Sequence, residues 1–313
     1  MSLRAVVLGA GLMGRWHAHA IRQAGASLIG VVDPDQDAAA TLGPATTMES
    51  AMAASPDVVH VCSPVEQHDE DVERALTSGA HVIAEKPVAP TAARTAALLD
   101  LAADRGLTLT PVHQMPLQRW RGQVPEVGPL VAIEHTLHSA GPGDPDAIAA
   151  SIVCHPLSVM VELLGPEAVA GAHWAIARGA PGELRGLATG GGVALQFAIS
   201  MSARPPCNEL VVAGQTATLH ADLFHGFGTV DRVSAGRAGK LARPFARAAA
   251  TLGQAGSNLG RRALAGEAAF PGLDVLIARV YAAIAAEGPS PLSPAHTLAV
   301  ARARDAILAA GAP

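Results

Sequence analysis

VVLGAGLMG, residues 6–14, joins the end of an apolar, strand-like run to the start of a helical pattern. Gly9, Gly11 and Gly14 have the spacing G-x-G-x-x-G, which is typical of a strand, turn and helix that hold a dinucleotide pyrophosphate. We expect Gly9 to allow the tight turn, Gly11 to admit the phosphates to backbone amides, and Gly14 to let helix and strand pack closely. A helix is predicted over 13–24, and its N-terminus supplies a positive field. The predicted phosphate-binding residues are Gly9, Ala10, Gly11, Leu12, Met13 and Gly14.

An acidic residue follows the second predicted strand, 27–32. Asp33 lies about 20 residues after Gly14, where a carboxylate binds the adenosine ribose hydroxyls and repels a 2′-phosphate. We therefore predict NAD as the cofactor, in preference to NADP. Two alternatives stay open: Asp33 is only a turn residue of the sequence DPD, or Asp35 takes the binding role.

Strands and helices alternate through residues 1–121, which we predict to be one dinucleotide-binding domain. Further strands are expected at 57–62 and 81–84 and, as a sixth, at 107–112. Such alternation predicts a doubly wound parallel sheet, in which ligands bind beyond the carboxyl ends of the strands. The side chains placed just past such ends are Ser63, Pro64, His68, Glu85, Lys86 and His113.

The composition limits the class of protein. A chain of 313 residues favours two domains, and a net charge of −5 argues against nucleic acid or an anionic membrane as a partner. Three widely spaced cysteines without a CxxC motif suggest neither a disulfide framework nor a metal site. The N-terminus enters a strand directly, and no run of 18 apolar residues is evident, so we expect a cytoplasmic protein with a small-molecule partner.

The pattern changes beyond residue 128, and we assign 122–313 to a second α/β domain. Strands are predicted at 130–138, 169–178, 192–201, 208–213 and 217–221. Successive strands without helices between them favour an open, mostly antiparallel sheet. One face of this sheet is expected to cover the active cleft, and the other to pair subunits into a homodimer or homotetramer.

Several motifs follow one another in a characteristic order: GAGLMG, Asp33, HVCSPVEQH, GAHVIAEKP and CHPLSVMVELLG. Together they resemble the Gfo/Idh/MocA family of NAD(P)-dependent oxidoreductases, and EKP is the most specific piece. The resemblance implies an N-terminal Rossmann domain followed by an α/β domain with an open, mostly antiparallel sheet. It also implies a sugar, a cyclitol or a related keto or hydroxy compound as substrate.

The resemblance places Lys86 beside the nicotinamide and the substrate as the main acid/base, with Glu85 orienting it. A lysine at a strand end is able to hydrogen-bond a substrate oxygen and exchange a proton with it. The alternative is a surface lysine paired with Glu85. The resemblance further implies that Ser63, Pro64 and His68 border the cofactor. It also implies a cofactor contact by His113, which together with Gln114 stands where the family usually has an asparagine or a histidine–asparagine pair.

The segment SIVCHP, residues 151–156, carries the second catalytic candidate. His155 precedes a helix predicted from Pro156, and a histidine there is by itself more often a capping or core residue. The resemblance favours a catalytic role, because family members that oxidise alcohols commonly have an aspartate four residues before this histidine. Ser151 stands at that place, and a serine neither holds an imidazolium as a carboxylate does nor acts as a base. The nearest alternative carboxylates are Asp144 and Asp146.

A basic stretch occupies residues 235–262 with hardly an acid in it. Spacings of three and four place the first four of its cations on one helical face, which would suit a phosphate or carboxylate on a large substrate such as a nucleotide sugar. The alternative is a solvated face. The cations are Arg237, Lys240, Arg243, Arg247, Arg261 and Arg262.

The leading hypothesis is an NAD(P)-dependent oxidoreductase that moves a hydride to or from a carbon bearing oxygen, with Lys86 as main acid/base and His155 assisting. Reduction of a ketone or imine is favoured over alcohol oxidation, because it demands less of the missing carboxylate. Two alternatives stay open: a non-catalytic NAD-binding sensor or scaffold with a degraded active site, and a lyase or hydrolase that uses NAD transiently.

Overall fold

The computed structural model describes residues 2–233, 236–267 and 269–310. Its first sheet consists of five parallel strands in the order β2-β1-β3-β4-β5. They are β1 (Arg4–Leu8), β2 (Ser27–Val32), β3 (Val58–Val61), β4 (His81–Ala84) and β5 (Leu109–Pro111). Apart from Arg4 and His60, the residues of β1 and β3 are apolar, and all but Arg4 are buried, as expected of parallel strands covered on both faces.

Helices connect these strands, as the alternating pattern predicts. They are α1 (Leu12–Gln23), α2 (Gln36–Leu42), α3 (Met48–Ala53), α4 (His68–Thr77) and α5 (Ala92–Asp104). The predicted sixth strand at 107–112 is the fifth strand of the observed sheet. The segment between β2 and β3 forms α2 and α3 and adds only an isolated bridge between Val31 and Ala45.

The register of the first sheet brings the carboxyl ends of its strands level. Leu8 pairs with both Val32 and Val61, Val61 pairs with Ala84, and Ala84 pairs with Pro111. The residues that follow these positions along the chain therefore emerge at one edge of the sheet. This is the edge at which a doubly wound sheet binds its ligands.

The chain divides into two compact units, and the division differs from the single boundary predicted between residues 121 and 122. The first unit comprises the described residues of Met1–His113 and Leu273–Arg302, and the second those of Gln114–Gly272 and Ala303–Pro313. A late segment belongs to the first unit because α10 (Leu273–Ala285) packs on α1. The last helix, α11 (Pro294–Ala310), follows it.

The second unit contains a seven-stranded sheet in the order β12-β11-β10-β6-β9-β8-β7. Its strands are β6 (Leu130–His138), β7 (Ala175–Arg178), β8 (Glu183–Gly190), β9 (Val193–Ser200), β10 (Cys207–Gly214), β11 (Ala217–Asp222) and β12 (Phe227–Arg232). Only β6 and β9 pair in parallel. A Rossmann domain followed by an α/β domain with a mostly antiparallel sheet is therefore confirmed.

Three parts of the second sheet differ from the prediction. The run 169–178 is a strand only from Ala175, because PEAVA begins with a proline at the first helical position and forms the short helix α8 (Pro166–Ala170). β8 was missed because ELRGLATG contains no β-branched residue before Thr189. β12 was also missed. Within β8, a Cβ atom at Gly186 would lie 2.2 Å from the ring of Phe197, so glycine is required there.

The segment that carries His155 forms two short helices, α6 (Pro145–Ile152) and α7 (Cys154–Leu164). By length and composition alone, the stretch Pro145–Leu164 passes the test for a membrane-spanning helix, with a mean hydropathy of 1.8. Half of this stretch is buried inside the protein, as in the core helices that pass the same test.

A buried histidine makes the second unit sensitive to acid. His135 on β6 is 1% exposed, and its Nε2 lies 2.6 Å from Oδ1 of Asn208 on β10. Burial lowers the pKa of His135 to about 4, although the Asn208 hydrogen bond acts in the opposite direction. An unfolded histidine takes up its proton below about pH 6.5. Between these values the unfolded chain binds more protons, so stability is present above pH 6.5 and is lost as the pH falls toward 4.

We predict that His135→Gln reduces the loss of unfolding free energy between pH 7 and pH 4.5 by about 2 kcal/mol, because the amide does not titrate. Urea unfolding at several pH values measures this loss. His173→Gln serves as the control, since His173 is exposed. Equal pH dependence in His135→Gln and the wild-type chain would contradict the prediction.

Candidate functional site

The turn between β1 and α1 has the geometry that its glycines predict. Gly9 has φ +98°, and a Cβ atom there would lie 2.4 Å from the carbonyl oxygen of Cys62. A Cβ atom at Gly14 would lie 1.9 Å from the carbonyl oxygen of Gly9. Both positions therefore exclude a side chain. A Cβ atom at Gly11 would meet nothing within 4 Å, so the space in front of the helix N-terminus is open.

Asp33 lies at the end of β2 and reaches back to this turn. Its Oδ2 accepts a hydrogen bond from the backbone N–H of Ala10 at 2.6 Å, and its Oδ1 accepts from that of Asp35 at 2.8 Å. The side chain of Asp35 caps α2 instead, because its Oδ1 accepts from the N–H of Ala38. Of the two aspartates, Asp33 is the one that contacts the glycine turn.

The loop after β3 is tied to the EKP motif through His68. The Nδ1 atom of His68 lies 2.8 Å from the carbonyl oxygen of Pro87, and its Nε2 lies 2.8 Å from that of Ser63. Both contacts are to carbonyl oxygens, which only accept, and a neutral imidazole with its single N–H donates to only one of the two. Ser63 in turn donates its hydroxyl to Oδ2 of Asp71 at 2.6 Å. The loop is therefore held by side chains of α4 and by the backbone of the EKP turn.

Glu85 is a buried carboxylate at the end of β4, only 8% exposed. Its Oε1 lies 3.4 Å from Nε2 of His17, and its Oε2 accepts from the backbone N–H of Lys86 at 3.3 Å. Burial raises the pKa of Glu85, but the hydrogen bond and charge of His17 and the charges of Lys86 and His68 outweigh it and hold that pKa below its ordinary value. Glu85 is therefore ionised at neutral pH.

His17 begins a buried hydrogen-bond chain that runs away from Glu85. Its Nδ1 lies 2.8 Å from Nδ1 of His60, and Nε2 of His60 lies 2.7 Å from the hydroxyl of Tyr281. Burial and the neighbouring His17 hold the pKa of His60 well below its ordinary value. Because the ionised Glu85 carboxylate only accepts hydrogen bonds, Nε2 of His17 is the donor in its contact with Glu85. The chain links α1, β3, β4 and α10 of the first unit.

Lys86 is half-buried beside this chain. Among the described residues its ammonium has no ion-pair partner within 4.0 Å, so the alternative of a surface lysine paired with Glu85 does not describe its contacts. His113, which follows β5, is 3% exposed and lies against His296, with ring centroids 5.6 Å apart. Burial, His296 and the charge of Lys86 lower the pKa of His113 well below its ordinary value, so His113 is neutral.

The second unit contains a cavity of about 450 Å³ that includes His155. Two amide groups in its wall, Gln114 and Gln118, have buried carbonyl oxygens without a hydrogen-bond partner. The nitrogen of Gln118 is fixed by the carbonyl oxygens of Leu223 and Pro271. The other lining residues are Met115, Leu137, Ser139, Ile152, Asn208, Leu223, Phe224, His225, Arg262, Ala269, Phe270 and Pro271.

This cavity presents hydrogen-bond acceptors and apolar surface. None of the described residues that line it is an aspartate or a glutamate. A buried carbonyl oxygen without a donor is costly, so a ligand hydroxyl or amine donating to Gln114 or Gln118 would be stabilised there. In the part of the chain that the structure describes, no group of three histidine, cysteine or acidic side chains is placed to hold a metal ion.

The polar residues near His155 in the sequence make contacts of their own. Asp144 caps α6, and Oδ1 of Asp146 accepts from the backbone N–H of Gly182 at 2.7 Å. Ser158 donates its hydroxyl to the backbone carbonyl of His155. Ser151 is half-buried on α6 and does not line the cavity. The carboxylates named as alternatives therefore hold backbone groups.

The basic stretch forms the long helix α9 (Gly236–Ala265), and three of its arginines hold neighbouring structure. Arg243 makes a bidentate contact with Asp231, and Arg261 pairs with Glu267 at 3.1 Å. Arg262, which lines the cavity, donates to the backbone carbonyls of His225 and Glu267. Some of the cations predicted to share one helical face therefore hold neighbouring structure, while others are exposed.

The parallel sheet and its glycine turn define an NAD-binding Rossmann domain. Residues 3–113 match the model of the Gfo/Idh/MocA oxidoreductase family, described as an NAD-binding Rossmann fold. This part of the chain belongs to that family, and the family predicted from the motifs is confirmed.

Three relatives illustrate what the chain is similar to. It is 55% identical over 53 residues, 17% of this chain and 16% of the relative, to dTDP-3,4-didehydro-2,6-dideoxy-alpha-D-glucose 3-reductase of Streptomyces violaceoruber. It is 33% identical over 111 residues, 33% of this chain and 34% of the relative, to inositol 2-dehydrogenase of Rhizobium meliloti. The solved UDP-N-acetylglucosamine 3-dehydrogenase of Acidithiobacillus ferrooxidans superimposes with a TM-score of 0.76 at 20% identity, over 99% of this chain and 98% of that one.

The sequence matches are short. They span 16% and 34% of the lengths of the two curated relatives, whereas the structural match covers nearly the whole chain and shows the fold. For the second unit, the likeness to the solved structure is therefore one of fold.

Several residues of the site were not predicted from the sequence. His17, His60, Asp71 and Tyr281 stand in helices and a strand whose periodicity reveals burial but no partner. The one available signal was compositional, since two histidines in buried apolar elements require hydrogen-bond partners.

We predict that His17→Phe lowers the free energy of unfolding by roughly 3–5 kcal/mol, because it leaves the buried Glu85 carboxylate without its histidine. The double variant His17→Phe with Glu85→Gln should recover part of this loss, since no buried charge remains. Urea unfolding measures both. His19→Phe, two residues along the same helix, is the matched control, and an equal loss in His17→Phe and His19→Phe would refute the prediction.

Proposed function

We propose that the protein is an NAD-dependent oxidoreductase that transfers a hydride to or from a carbon bearing oxygen on a sugar-like, cyclitol or related keto or hydroxy substrate. One observation carries the proposal: the glycine turn, Asp33 and Lys86 follow strands whose carboxyl ends are level in one parallel sheet. A dinucleotide laid along that edge extends from the phosphate turn toward the lysine.

The residues of the first unit fit NAD. The glycine turn offers open space at Gly11 for the pyrophosphate, and Ala10, Leu12 and Met13 complete the turn with their backbone N–H groups. Asp33 accepts hydrogen bonds from the ribose hydroxyls and disfavours NADP. Ser63, Pro64, His68, Glu85 and His113 border the remainder of the cofactor in this proposal. When bound, NAD supplies or accepts the hydride.

Lys86 acts as the principal acid/base. Its ammonium hydrogen-bonds the substrate oxygen and donates a proton to it in reduction, or in its neutral form removes one in oxidation. Glu85 orients it through the backbone N–H of Lys86 and supplies a negative charge nearby. His155 of the second unit assists. Because position 151 is a serine, it supplies no carboxylate to stabilise the imidazolium that His155 would form by removing a proton in alcohol oxidation. We therefore favour reduction of a ketone or imine, which demands less of that carboxylate.

The cavity of the second unit supports a polyhydroxylated substrate. The orphan oxygens of Gln114 and Gln118 accept from hydroxyl groups, and the apolar wall packs against the carbon face of a ring. The relatives named above act on a sugar nucleotide and on inositol. A sugar, cyclitol or nucleotide sugar is therefore the substrate class that we propose.

We also propose a cytoplasmic homodimer or homotetramer that binds neither nucleic acid nor membrane. Alternate side chains of the second sheet are exposed on one face, including Leu187 on β8, which is 57% exposed. This open face is the proposed pairing surface.

We predict that Lys86→Met abolishes turnover, with a loss of at least about 10²-fold, while NAD binding persists. Absorbance of the reduced nicotinamide during a screen of keto-sugars and polyols measures turnover, and tryptophan fluorescence measures binding. Lys240→Met is the matched control, because Lys240 is the only other lysine in the sequence. Unchanged activity in Lys86→Met would refute the mechanism. NAD binding with no turnover of any compound would favour a non-catalytic NAD-binding sensor or scaffold. Formation of product without a net change in reduced nicotinamide would favour a lyase or hydrolase that uses NAD transiently.

We predict that Asp33→Ser weakens NAD binding and relaxes the rejection of NADP, because the carboxylate that repels a 2′-phosphate is gone. Titration of both cofactors against the wild-type chain and the variant measures the preference. Asp35→Ser, which removes the α2 cap, is the control. If Asp35→Ser changes the preference and Asp33→Ser does not, the wrong aspartate has been assigned.

A further inference from the structure

Helix α9 projects an apolar surface that nothing in the described chain covers. The helix has 30 residues and is about 45 Å long. It lies along β12, where Arg243 holds Asp231 and the buried Asn258 donates to the carbonyl oxygen of His225. Phe245 and three leucines of α9, Leu241, Leu252 and Leu259, are each more than 70% exposed. Such a continuous exposed stripe marks an interaction surface.

The stripe follows a heptad pattern. At about 100° per residue, its members lie on the side of the helix away from Arg243. Their spacings alternate between four and three residues, as in the seam of a coiled coil. The members are Leu241, Phe245, Ala248, Leu252, Ala255 and Leu259. A heptad repeat of exposed apolar residues is typical of a helix that pairs with another helix.

The stripe is also symmetric about residue 250. Three pairs of its members are equidistant from residue 250. The pairs are Leu241 with Leu259 at nine residues, Phe245 with Ala255 at five residues, and Ala248 with Leu252 at two residues. We propose that α9 pairs in antiparallel fashion with α9 of a second copy of this chain, on a twofold axis at residue 250. Two of the three layers then place a large side chain against alanine, which is how facing helices interdigitate. The same patch serves both partners, as a twofold interface requires.

The charges of α9 favour this antiparallel register. The helix carries six arginine and lysine residues and no acid. Parallel pairing in register would set each cation opposite itself, which is repulsive. The antiparallel register sets every cation opposite a small uncharged residue instead. The pairs are Arg237 with Ala263, Lys240 with Gly260, Arg243 with Ser257, Arg247 with Gly253, Arg261 with Gly239, and Arg262 with Ala238.

This interface is separate from the open face of the second sheet. α9 adjoins the sheet at its edge strand β12, whereas the open face belongs to the central strands. Two different twofold interfaces in one chain build a tetramer of dihedral symmetry. The α9 pair does not depend on catalysis, so it stands whether or not the proposed oxidoreductase function is correct.

The test is the mass of the full-length protein in solution, by light scattering after gel filtration. Phe245→Glu should halve the mass of the wild-type assembly, because it places carboxylates inside the apolar seam. Leu264→Glu is the matched control, since Leu264 is 93% exposed on α9 but lies off the stripe, and it should leave the mass unchanged. Leu252→Glu provides a second disruption if Phe245→Glu fails to fold, as judged by circular dichroism.

The register is tested by restoring the pair. Phe245→Glu combined with Ala255→Lys should regain the wild-type mass, because residue 245 faces residue 255 of the other copy and is too far from it in its own helix to pair. Failure of this rescue would overturn the antiparallel register. A monomeric wild-type chain, or a mass that Phe245→Glu and Leu252→Glu leave unchanged, would overturn the interface. Binding of a monomer to phosphatidylglycerol vesicles that Phe245→Glu abolishes would assign the stripe to a lipid surface and likewise overturn it.

Discussion

The buried carboxylate of Glu85 is the constraint around which the first unit is arranged. An ion with so little exposure is tolerated only when donors surround it, and removing one of them costs several kcal/mol. His17 supplies one donor from α1, and the Lys86 backbone supplies another. His17 then requires His60, and His60 requires Tyr281. The hydrogen bonds that stabilise the Glu85 carboxylate thus fix α1, β3 and α10 relative to Lys86, the lysine that the proposed mechanism uses.

The sequence predicted those parts of the fold and candidate site that local patterns specify. The glycine turn, the end of β2 at Asp33 and the EKP turn follow from spacing and strand periodicity, and the structure has each of them at the predicted residues. The buried histidine chain was not predictable, because His60 and Tyr281 are 221 positions apart and neither element records its partner. β8 was missed for a different reason: its residues favour a strand only through their contacts with β9.

The second unit combines two surfaces of opposite character. The cavity that His155 lines has two buried amide oxygens, of Gln114 and Gln118, without a hydrogen-bond partner. The outer stripe of α9 is apolar and extended, and its symmetry suits a macromolecular partner of identical sequence. Arg262 belongs to both regions, since it lines the cavity and lies near the end of α9. The proposed pairing of α9 and the shape of this cavity therefore share one structural element.

The contribution of α10 to the first unit has a consequence for synthesis. A polypeptide emerges from the ribosome N-terminus first, and domains generally fold as units as they emerge. The nucleotide-binding sheet is complete once β5 has been made, yet the partner of His60 arrives only with Tyr281, after the whole second sheet. The first unit must wait for most of the chain to be translated before its core closes. Excising residues 1–121 would reproduce this unfinished intermediate, whereas a circular permutant that joins 273–302 directly to the N-terminal portion would remove the delay.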